Sequence, residues 1–302
     1  MNIFNAENIT KAYSLNGFSL NDISFKLKSG HIIGVVGENG NGKTTLLRIV
    51  AGDLSINEGH LEYFNQWDNI TNNWLDIKSK IAYIPQRIPK WYGYLKDNLI
   101  FEAAIRGIKG DAAEKLINEL TEKLGLSEYI HLKWKEISTG YRLRFQLAKM
   151  LIGEPDLLVL DEPIANLDIN AQNKFLDDLR KIVSEEGRNV SVILSSQQLH
   201  EIENIADSIL FLKNGSLIYG GEVDQIGAER QENEFEIQGN FSVKDLQYLF
   251  NNIEIDFVAN TYHVKVPLEQ ESMVFLKILI EQGFTITYFR DISSSTRKLF
   301  NN

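Results

Sequence analysis

The sequence of 302 residues contains no cysteine, which excludes disulfide bonds and zinc sites that use thiolate ligands. It also lacks any stretch of about 18 consecutive apolar residues, the minimum for a membrane-spanning helix. The first residues show no basic segment followed by an apolar one, so no secretory signal is expected. We therefore expect a chain that does not cross a membrane by itself.

Basic residues are in deficit as well. The chain has 31 lysines and arginines against 41 aspartates and glutamates, which gives a net charge of −10. A general nucleic-acid binder needs a basic surface to neutralise phosphates, so no nucleic-acid partner is expected. The remaining composition, 43% hydrophobic and 24% charged, is that of an ordinary globular chain. Its length is typical of two domains, or of one large domain with an appendage.

A glycine-rich loop between a predicted strand and a predicted helix is the strongest motif. The β-branched run at residues 31–36 predicts a buried strand, and the run at 46–51 predicts a helix that ends at Gly52. Between them the pattern G-x-x-x-x-G-K-S/T is matched by Gly37, Gly42, Lys43 and Thr44. Such glycines let backbone N–H groups surround phosphate oxygens, and the helix N-terminus adds a partial positive charge. The motif predicts a nucleotide phosphate site.

Residues of this phosphate loop (Gly37–Thr45) have distinct expected roles. We expect Lys43 to reach the β- and γ-phosphates and to take part in catalysis, and the Thr44 hydroxyl to bind Mg²⁺. The other loop residues expected to contact the nucleotide are Gly37, Asn39, Gly40, Asn41, Gly42 and Thr45.

Two adjacent carboxylates follow another apolar run. Residues 157–160 are all leucine or valine, which indicates a strand of a parallel sheet covered on both faces. Asp161 and Glu162 come directly after this run, and ligands of such sheets bind beyond the carboxyl ends of the strands. We expect Asp161 to bind Mg²⁺ through water and Glu162 to polarise the attacking water.

With these motifs the chain resembles the ATP-binding subunit of ABC transporters, from Ile3 to about Gly221. Further motifs of that family occur in the same order: the adenine-stacking residue Tyr13, the Q-loop residue Gln86, the signature segment Ile137–Tyr141 and the D-loop Ala165–Asp168. The resemblance implies ATP and Mg²⁺ as cofactors, with Gln86 as a catalytic residue and Mg²⁺ ligand. Four further residues are implied to contact nucleotide, namely Tyr13, Ser138, Gly140 and Asp168.

The signature segment also has a physical rationale of its own. Ser138 can cap a helix that starts near Tyr141, and Gly140 permits close backbone approach, which together make a second anion-binding helix end. In the resembling family two subunits pair head to tail, so that each signature covers the ATP of the other. The resemblance thus implies a homodimer, or a pair with another ABC ATPase subunit, bound to an integral membrane permease. It places the chain in the cytoplasm, peripherally on the inner face of the cell membrane.

The chain departs from the family pattern after the predicted strand at residues 190–194. The family has a switch histidine where this sequence has Gln197, and none of the five histidines occupies that position. A glutamine amide can donate a hydrogen bond to the γ-phosphate but cannot carry charge. We count Gln197 among the catalytic residues and expect the change to remove about 1–2 kcal/mol, which slows turnover roughly 5- to 30-fold.

The signature segment departs from the usual Leu-Ser-Gly-Gly-Gln as well. Thr139 and Tyr141 replace a glycine and the glutamine, whereas Ser138 and Gly140, the phosphate-contacting positions, are kept. Ser-Thr-Gly variants resemble the ATPase subunits of exporters for drugs, lipids or polysaccharides. The expected direction of transport is therefore export.

A cluster of aromatic residues follows Gln86 in the segment 88–101. Trp91, Tyr92 and Tyr94 lie close together, and aromatic residues of this kind are typical anchors at protein interfaces. In the resembling family this segment lines the groove that receives a coupling helix of the membrane subunit. Packing in the local core is the alternative interpretation.

The expected fold class is α/β, a P-loop NTPase lobe of the ABC ATPase kind with a small C-terminal α+β domain. The lobe spans residues 1–226 and contains a helical signature subdomain at about 88–152. After a linker near 226–232, the alternation of apolar and polar residues predicts a βαββαβ order, typical of a ferredoxin-like domain over 232–302. This domain carries no chemical motif, and dimerisation and regulation are both open roles for it.

Two other functions are weighed against an ATP-hydrolysing transporter subunit. One is a soluble, non-transport ABC ATPase acting on ribosomes or DNA, which usually carries two nucleotide domains or a long coiled coil that this sequence lacks. The other is a slow or non-cycling regulatory nucleotide sensor in which Gln197 stalls hydrolysis. A sensor would bind ATP and dimerise without turning over.

Overall fold

The structure is a computed structural model that describes residues 1–14, 17–64, 73–185, 190–225, 232–250, 253–258 and 260–293. The chain divides into two compact units, Met1–Val223 and Asp224–Asn302. The predicted linker lies outside the described residues except for Glu232.

The first unit mixes helices and strands. In chain order it contains β1 (Asn2–Ala12), β2 (Ser19–Lys28), β3 (Ile32–Val36), α1 (Lys43–Val50), β4 (Glu58–Tyr63), α2 (Trp74–Lys80), β5 (Ile81–Ile84), α3 (Leu95–Ile105), α4 (Asp111–Lys123), α5 (Thr139–Leu151), β6 (Leu157–Leu160), α6 (Ile169–Val183), β7 (Ser191–Ser196), β8 (Ser208–Lys213) and β9 (Ser216–Glu222). None of the helices among the described residues is long and apolar enough to cross a bilayer.

A six-stranded sheet positions the motifs. Its strand order is β5-β6-β7-β3-β8-β9, in which the first five strands are parallel and β9 pairs antiparallel with β8. The apolar strand β6 is buried at every position, as expected for a strand inside a sheet covered on both faces. Because β5, β6, β7 and β3 are adjacent and parallel, the residues that follow them meet at one edge of the sheet.

A three-stranded antiparallel sheet of order β2-β1-β4 shares a hydrophobic core with the larger sheet and with α1. Phe4 and Ile9 of β1, Leu46 and Leu47 of α1, and Val159 of β6 all belong to it. The helix after the phosphate loop is therefore fixed by buried apolar side chains of both sheets. Rigid placement of this helix matters because its first residues belong to the motif.

The helical part of this unit contains α3, α4 and α5. Trp91 is only 8% exposed, its ring lies 5.0 Å from that of Trp134, and its Nε1 donates to Gln146 Oε1 at 3.0 Å. The expectation that Trp91 is an interface anchor is therefore wrong, because a side chain in the local core cannot present its ring to a partner. Tyr92 and Tyr94, by contrast, are exposed.

The second unit has the βαββαβ order predicted from the sequence. It contains β10 (Glu232–Gly239), α7 (Val243–Leu249), β11 (Glu254–Val258), β12 (Thr261–Pro267), α8 (Ser272–Glu281) and β13 (Ile286–Asp291). The strands form an antiparallel sheet of order β11-β12-β10-β13, which confirms the ferredoxin-like arrangement. Phe235 and Ile237 of β10 pack with Leu246 of α7 and with Phe275 and Leu279 of α8 in its core.

Candidate functional site

The phosphate loop connects β3 to α1 in the way the motif predicts. Gly42 precedes the helix with φ at 102°, a left-handed conformation that favours glycine. A Cβ atom on Gly42 would lie 2.5 Å from Cδ2 of Leu20, so a side chain here would also force Leu20 to move. No side chain caps α1, which leaves its first N–H groups available for an anion.

The ammonium of Lys43 is held over the start of this loop. Its Nζ donates to the carbonyl oxygens of Gly37 at 2.7 Å and Glu38 at 3.2 Å, and it lies 3.1 Å from Oε1 of Glu162. The side chain is 4% exposed, so the charge is buried and fully partnered. The loop thus holds a cation at the position where the motif predicts the terminal phosphates of a nucleotide.

Asp161 follows β6 and is surrounded by hydroxyl groups. Thr44 Oγ1 donates to its Oδ2 at 2.9 Å, and Ser195 Oγ donates to its Oδ1 at 2.9 Å. Burial, followed by the charge of Asp161, raises the pKa of Tyr83 to about 12, so this phenol remains protonated beside the carboxylate. The two residues predicted to bind Mg²⁺ from the phosphate loop and from β6 are therefore in direct contact.

The oxygen atoms at this position suit Mg²⁺. This ion keeps several waters and is usually held by one or two carboxylates together with substrate phosphates. Thr44 and Asp161 supply a hydroxyl and a carboxylate side by side. Within the described ranges, no cluster of three or more histidine, aspartate and glutamate side chains could hold a metal alone. The donors fit a cation that is shared with a bound phosphate.

The carboxylate of Glu162 brings the four predicted catalytic residues together. Lys43 contacts Oε1, while Gln86 Nε2 donates to Oε2 at 2.7 Å and Gln197 Nε2 donates to the same oxygen at 3.1 Å. Glu162 is 7% exposed and has φ at 44°, an uncommon value for a residue with a side chain. Such strain is typical of functional positions whose surroundings fix the backbone.

Ser195 is a site residue for which sequence reasoning predicted no role. It is fully buried in β7, and its hydroxyl accepts the backbone N–H of Glu162 at 2.8 Å while donating to Asp161. The only indication of Ser195 in the sequence was its place directly after the apolar run at residues 190–194. Only the parallel pairing of β7 with β6 places that serine beside both carboxylates.

Tyr13 and Asn41 lie at the rim of the phosphate loop. The Tyr13 hydroxyl is 3.3 Å from Oγ1 of Thr45, and the Tyr13 ring is exposed, as a surface for stacking must be. The Oδ1 atom of Asn41 accepts the backbone N–H of Asn214 at 3.0 Å, which fixes the loop to the β8–β9 turn. Asn39 and Gly40 are exposed, and Gly40 has φ at 84°.

The signature and D-loop residues form a separate group. Ser138 Oγ accepts the N–H of Tyr141 and caps α5, which begins at Thr139, two residues before the predicted start. Asp168 caps α6 by accepting the N–H of Ala171 at 2.9 Å. Among hydrogen bonds of the described residues, none joins Ser138, Gly140 or Asp168 to the phosphate loop. Within the described residues, hydrogen bonding thus does not join these predicted nucleotide contacts to the Glu162 site of the same chain.

Comparison with known proteins agrees with this arrangement. The family model described as ABC transporter matches residues 20–165. A relative in Bacillus subtilis, the ABC transporter ATP-binding protein YhcH, is 30% identical over 301 residues, which cover 99% of this chain and 94% of the relative. The molybdate/tungstate import ATP-binding protein WtpC of Pyrococcus horikoshii is 28% identical over 301 residues, covering 97% and 82% of the two chains.

Solved structures show the same fold. The structure of CbiO1 from Clostridium perfringens, part of the ABC transporter complex CbiONQ, superposes with a TM-score of 0.68 at 22% identity. The match covers 76% of this chain and 92% of CbiO1. The likeness confirms the P-loop NTPase lobe predicted from the sequence.

Proposed function

Because the chain belongs to the ABC transporter family of ATP-binding proteins and so hydrolyses ATP, we propose that it does this with Mg²⁺ at the Glu162 carboxylate. The observation that carries the proposal is the convergence of Lys43, Gln86 and Gln197 on that carboxylate. The Thr44–Asp161 pair lies at the same edge of the sheet and supplies the two side chains proposed to bind Mg²⁺.

The residues of the site have separate tasks in this proposal. Thr44 and Asp161 would hold Mg²⁺, which when bound neutralises charge on the phosphate oxygens, and Gln86 would add a further ligand. In the structure the Lys43 ammonium neutralises the Glu162 carboxylate. A bound phosphate would attract this ammonium, and the carboxylate would then keep, among the described residues, only the amide groups of Gln86 and Gln197 as side-chain donors. Glu162 would then orient a water molecule for attack and accept hydrogen bonds from it.

Gln197 makes the reaction slow in this proposal. Its amide donates to Oε2 of Glu162 at 3.1 Å, which supports the proposal that Gln197 acts as the switch residue. A neutral amide stabilises developing negative charge on phosphate less than a charged imidazole does. The slowing expected is the 5- to 30-fold given by about 1–2 kcal/mol.

Pairing of two subunits would complete the site. Ser138 and Asp168 are exposed and cap the starts of α5 and α6, and among the described residues neither side chain is hydrogen-bonded to the phosphate loop. An exposed, capped helix start is able to bind an anion that another molecule presents. We therefore expect head-to-tail pairing with a second copy, or with a different ABC ATPase subunit, in which each signature segment contacts the ATP of the other.

The exposed face near α3 is the proposed docking surface for a membrane subunit. Tyr92, Phe101 and Ile105 are 87%, 66% and 62% exposed, and Phe101 and Ile105 lie one turn apart on α3. Exposed apolar side chains grouped in this way favour a partner helix. The surface follows Gln86 in sequence, so docking and catalysis would be coupled through the Q-loop. The chain would then reside peripherally on the inner face of the cell membrane.

Two further predictions belong to this proposal. Export remains the predicted direction, since it rests on Thr139 in the signature segment, while the relative WtpC is by name an import protein. The second unit is proposed to support dimerisation or regulation.

The test is to purify tagged Glu162→Gln protein from solubilised host membranes in the presence of ATP and Mg²⁺. The amide cannot activate water, so ATP should remain bound and hold the closed complex. Stoichiometric recovery of a protein with several membrane spans is the expected result. Recovery without any such protein would contradict the transporter proposal and support a nucleotide sensor or a ribosomal role. Lys43→Ala protein, which should bind ATP poorly, serves as the control.

A further inference from the structure

A continuous set of side-chain contacts connects the signature segment to α6. It begins at Tyr141, where the resembling family has a glutamine. The ring of Tyr141 lies 4.0 Å from that of Tyr129, and the two hydroxyls are 2.8 Å apart. The Tyr141 side chain is thus held against Tyr129 of its own subdomain, and this contact helps to fix the position of the signature segment.

Arg144 continues the connection one turn later on α5. Its guanidinium carbon lies 5.3 Å from the centre of the Tyr141 ring, a distance at which a cation is attracted to an aromatic face. The same guanidinium donates to the carbonyl oxygen of Leu124 after α4, and its Nε lies 3.1 Å from Oδ2 of Asp178 on α6. One side chain therefore joins the start of α5 to two other helices.

Asp178 is the buried end of this connection. Its side chain is 2% exposed, and its second oxygen, Oδ1, lies 3.0 Å from Nζ of Lys174. A buried carboxylate is stable only when positive charges or hydrogen bonds compensate for its lost hydration. Any movement of Arg144 away from α6 would leave Asp178 with Lys174 alone, so the ion pair holds α5 and α6 in one arrangement.

The same two helices also touch at their first turns. A Cβ atom on Gly140 of the signature segment would lie 3.2 Å from Cβ of Ala171 on α6, and 3.9 Å from Cδ2 of Leu167 in the D-loop. The start of α5 therefore rests directly on the start of α6. Together with the Arg144–Asp178 pair, this contact fixes the spacing between Ser138, which caps α5, and Asp168, which caps α6.

We propose that Arg144 is a positioning residue for ATP hydrolysis, one that holds the signature segment in fixed register with the D-loop so that both approach a second subunit as one surface. The inference rests on the proposed head-to-tail pairing. Arg144 does not touch nucleotide in this arrangement and acts through Tyr141 and Asp178. Its loss should weaken pairing and turnover while ATP binding by the single subunit is unchanged.

The test compares Arg144→Met with its parent in three measurements. Binding of a fluorescent ATP analogue to the dilute single subunit should stay within about twofold, since the phosphate loop is untouched. ATP-dependent dimerisation, measured by light scattering in a Glu162→Gln background, should weaken about tenfold, and kcat of the otherwise native chain should fall to a similar extent. Lys115→Met, which removes an exposed ion pair with Glu119 on α4, is the matched control and should change none of the three.

A second variant separates positioning from simple destabilisation. Arg144→Met leaves Asp178 poorly compensated, whereas Arg144→Met combined with Asp178→Leu removes both charges, a replacement that buried ion pairs often tolerate. The double variant should melt close to the parent and still dimerise poorly with ATP. Arg144→Lys, which keeps the charge but loses the planar fork, should recover only part of the dimerisation.

Each other outcome overturns the inference. Normal ATP-dependent dimerisation and kcat in a folded Arg144→Met chain would show that the contact does not position anything. Recovery of dimerisation in the double variant would show that Arg144 serves stability alone. If the parent does not dimerise with ATP at all, pairing between two identical copies is wrong and the positioning role of Arg144 in that pair falls with it, an outcome that the parent measurement identifies by itself.

Discussion

The hydroxyl of Ser195 lies 2.9 Å from Oδ1 of Asp161 and links the end of β7 to the end of β6 inside the buried centre of the sheet. The same hydroxyl accepts the N–H of Glu162. One side chain thereby orients the proposed Mg²⁺ ligand and fixes the backbone of the residue proposed to orient water. Groups that support a site in this way affect its chemistry without touching substrate.

Replacing Ser195 should therefore weaken Mg²⁺ binding at the proposed site. Ser195→Ala keeps the packing but leaves the Glu162 N–H without its hydroxyl partner and removes one of the hydrogen bonds to Asp161. We expect kcat to fall about tenfold and the Mg²⁺ concentration for half-maximal ATPase to rise, since supporting groups of metal ligands have effects of this size. The measurement is ATPase rate against Mg²⁺ at saturating ATP.

Ser191 provides a matched control for this experiment. It is equally buried at the other end of β7, where its hydroxyl accepts from Gly30 N and donates to the Lys28 carbonyl. Ser191→Ala should destabilise the fold by about 1–3 kcal/mol, as Ser195→Ala should, because each leaves a backbone N–H without its hydroxyl partner, that of the half-buried Gly30 or of the buried Glu162. A Mg²⁺ dependence that shifts equally in both variants would mean that destabilisation, and not orientation of Asp161, is responsible.

Gln197→His should accelerate turnover. Imidazole can donate to phosphate and can also carry charge, whereas the amide of Gln197 donates to Glu162 as a neutral group. We expect kcat to rise roughly 5- to 30-fold, corresponding to about 1–2 kcal/mol. The rate is measured on the purified dimer, with Gln197→Ala as the control that should be slower than the native chain. An unchanged or lower rate in the histidine variant would refute this account of Gln197.

Substitutions in the aromatic cluster after Gln86 should have two kinds of effect, one on binding of the membrane subunit and the other on stability. Tyr92→Ala and Phe101→Ala alter exposed side chains, so they should leave the melting temperature unchanged but reduce co-purification with the membrane subunit. Trp91→Ala should instead destabilise the first unit by about 3–5 kcal/mol, because its ring is buried against Trp134. Normal recovery of the membrane subunit with the doubly substituted Tyr92→Ala, Phe101→Ala chain would show that this surface is not the docking site.

The sequence predicted those features whose signal is local. The strand, loop and helix around Lys43, from Ile32 to Val50, and the two carboxylates after the apolar run at β6 each lie within one short segment, and the structure has them there. The βαββαβ order of the second unit was equally readable, because alternating burial, as at Val264 and Val266 of β12, and helical periodicity are properties of single segments.

What the sequence could not predict depends on contacts between distant segments. An aromatic residue such as Trp91 is typical both of a protein interface and of a core, and only its stacking on Trp134 shows that it belongs to the core. Ser195 acquires its role from the pairing of β7 with β6, and Arg144 acquires its own from Asp178 on another helix. No spacing rule for a single strand or helix contains that information.

Asp207 should make the stability of the first unit depend on pH. Burial by itself would raise the pKa of Asp207, but the fork of Arg180, with Nη2 at 2.9 Å, and the N–H of Ile32 at 2.8 Å hold it below its ordinary value. A carboxyl whose pKa is lower in the folded state stabilises the fold at neutral pH. That contribution is lost as the pH falls below about 4 and the carboxyl becomes protonated.

Asp207→Asn should accordingly lower the free energy of unfolding by about 1 kcal/mol at pH 7, an amount limited by solvent screening of the partly exposed pair. The difference from the native chain should shrink steadily as the pH falls from about 5 to 3. All four tryptophans lie in the first unit, so urea unfolding followed by tryptophan fluorescence reports on that unit alone. Glu119→Gln, which alters an exposed pair on α4, should show little difference at any pH. A constant difference for Asp207→Asn across this range would mean that its charge does not contribute to stability.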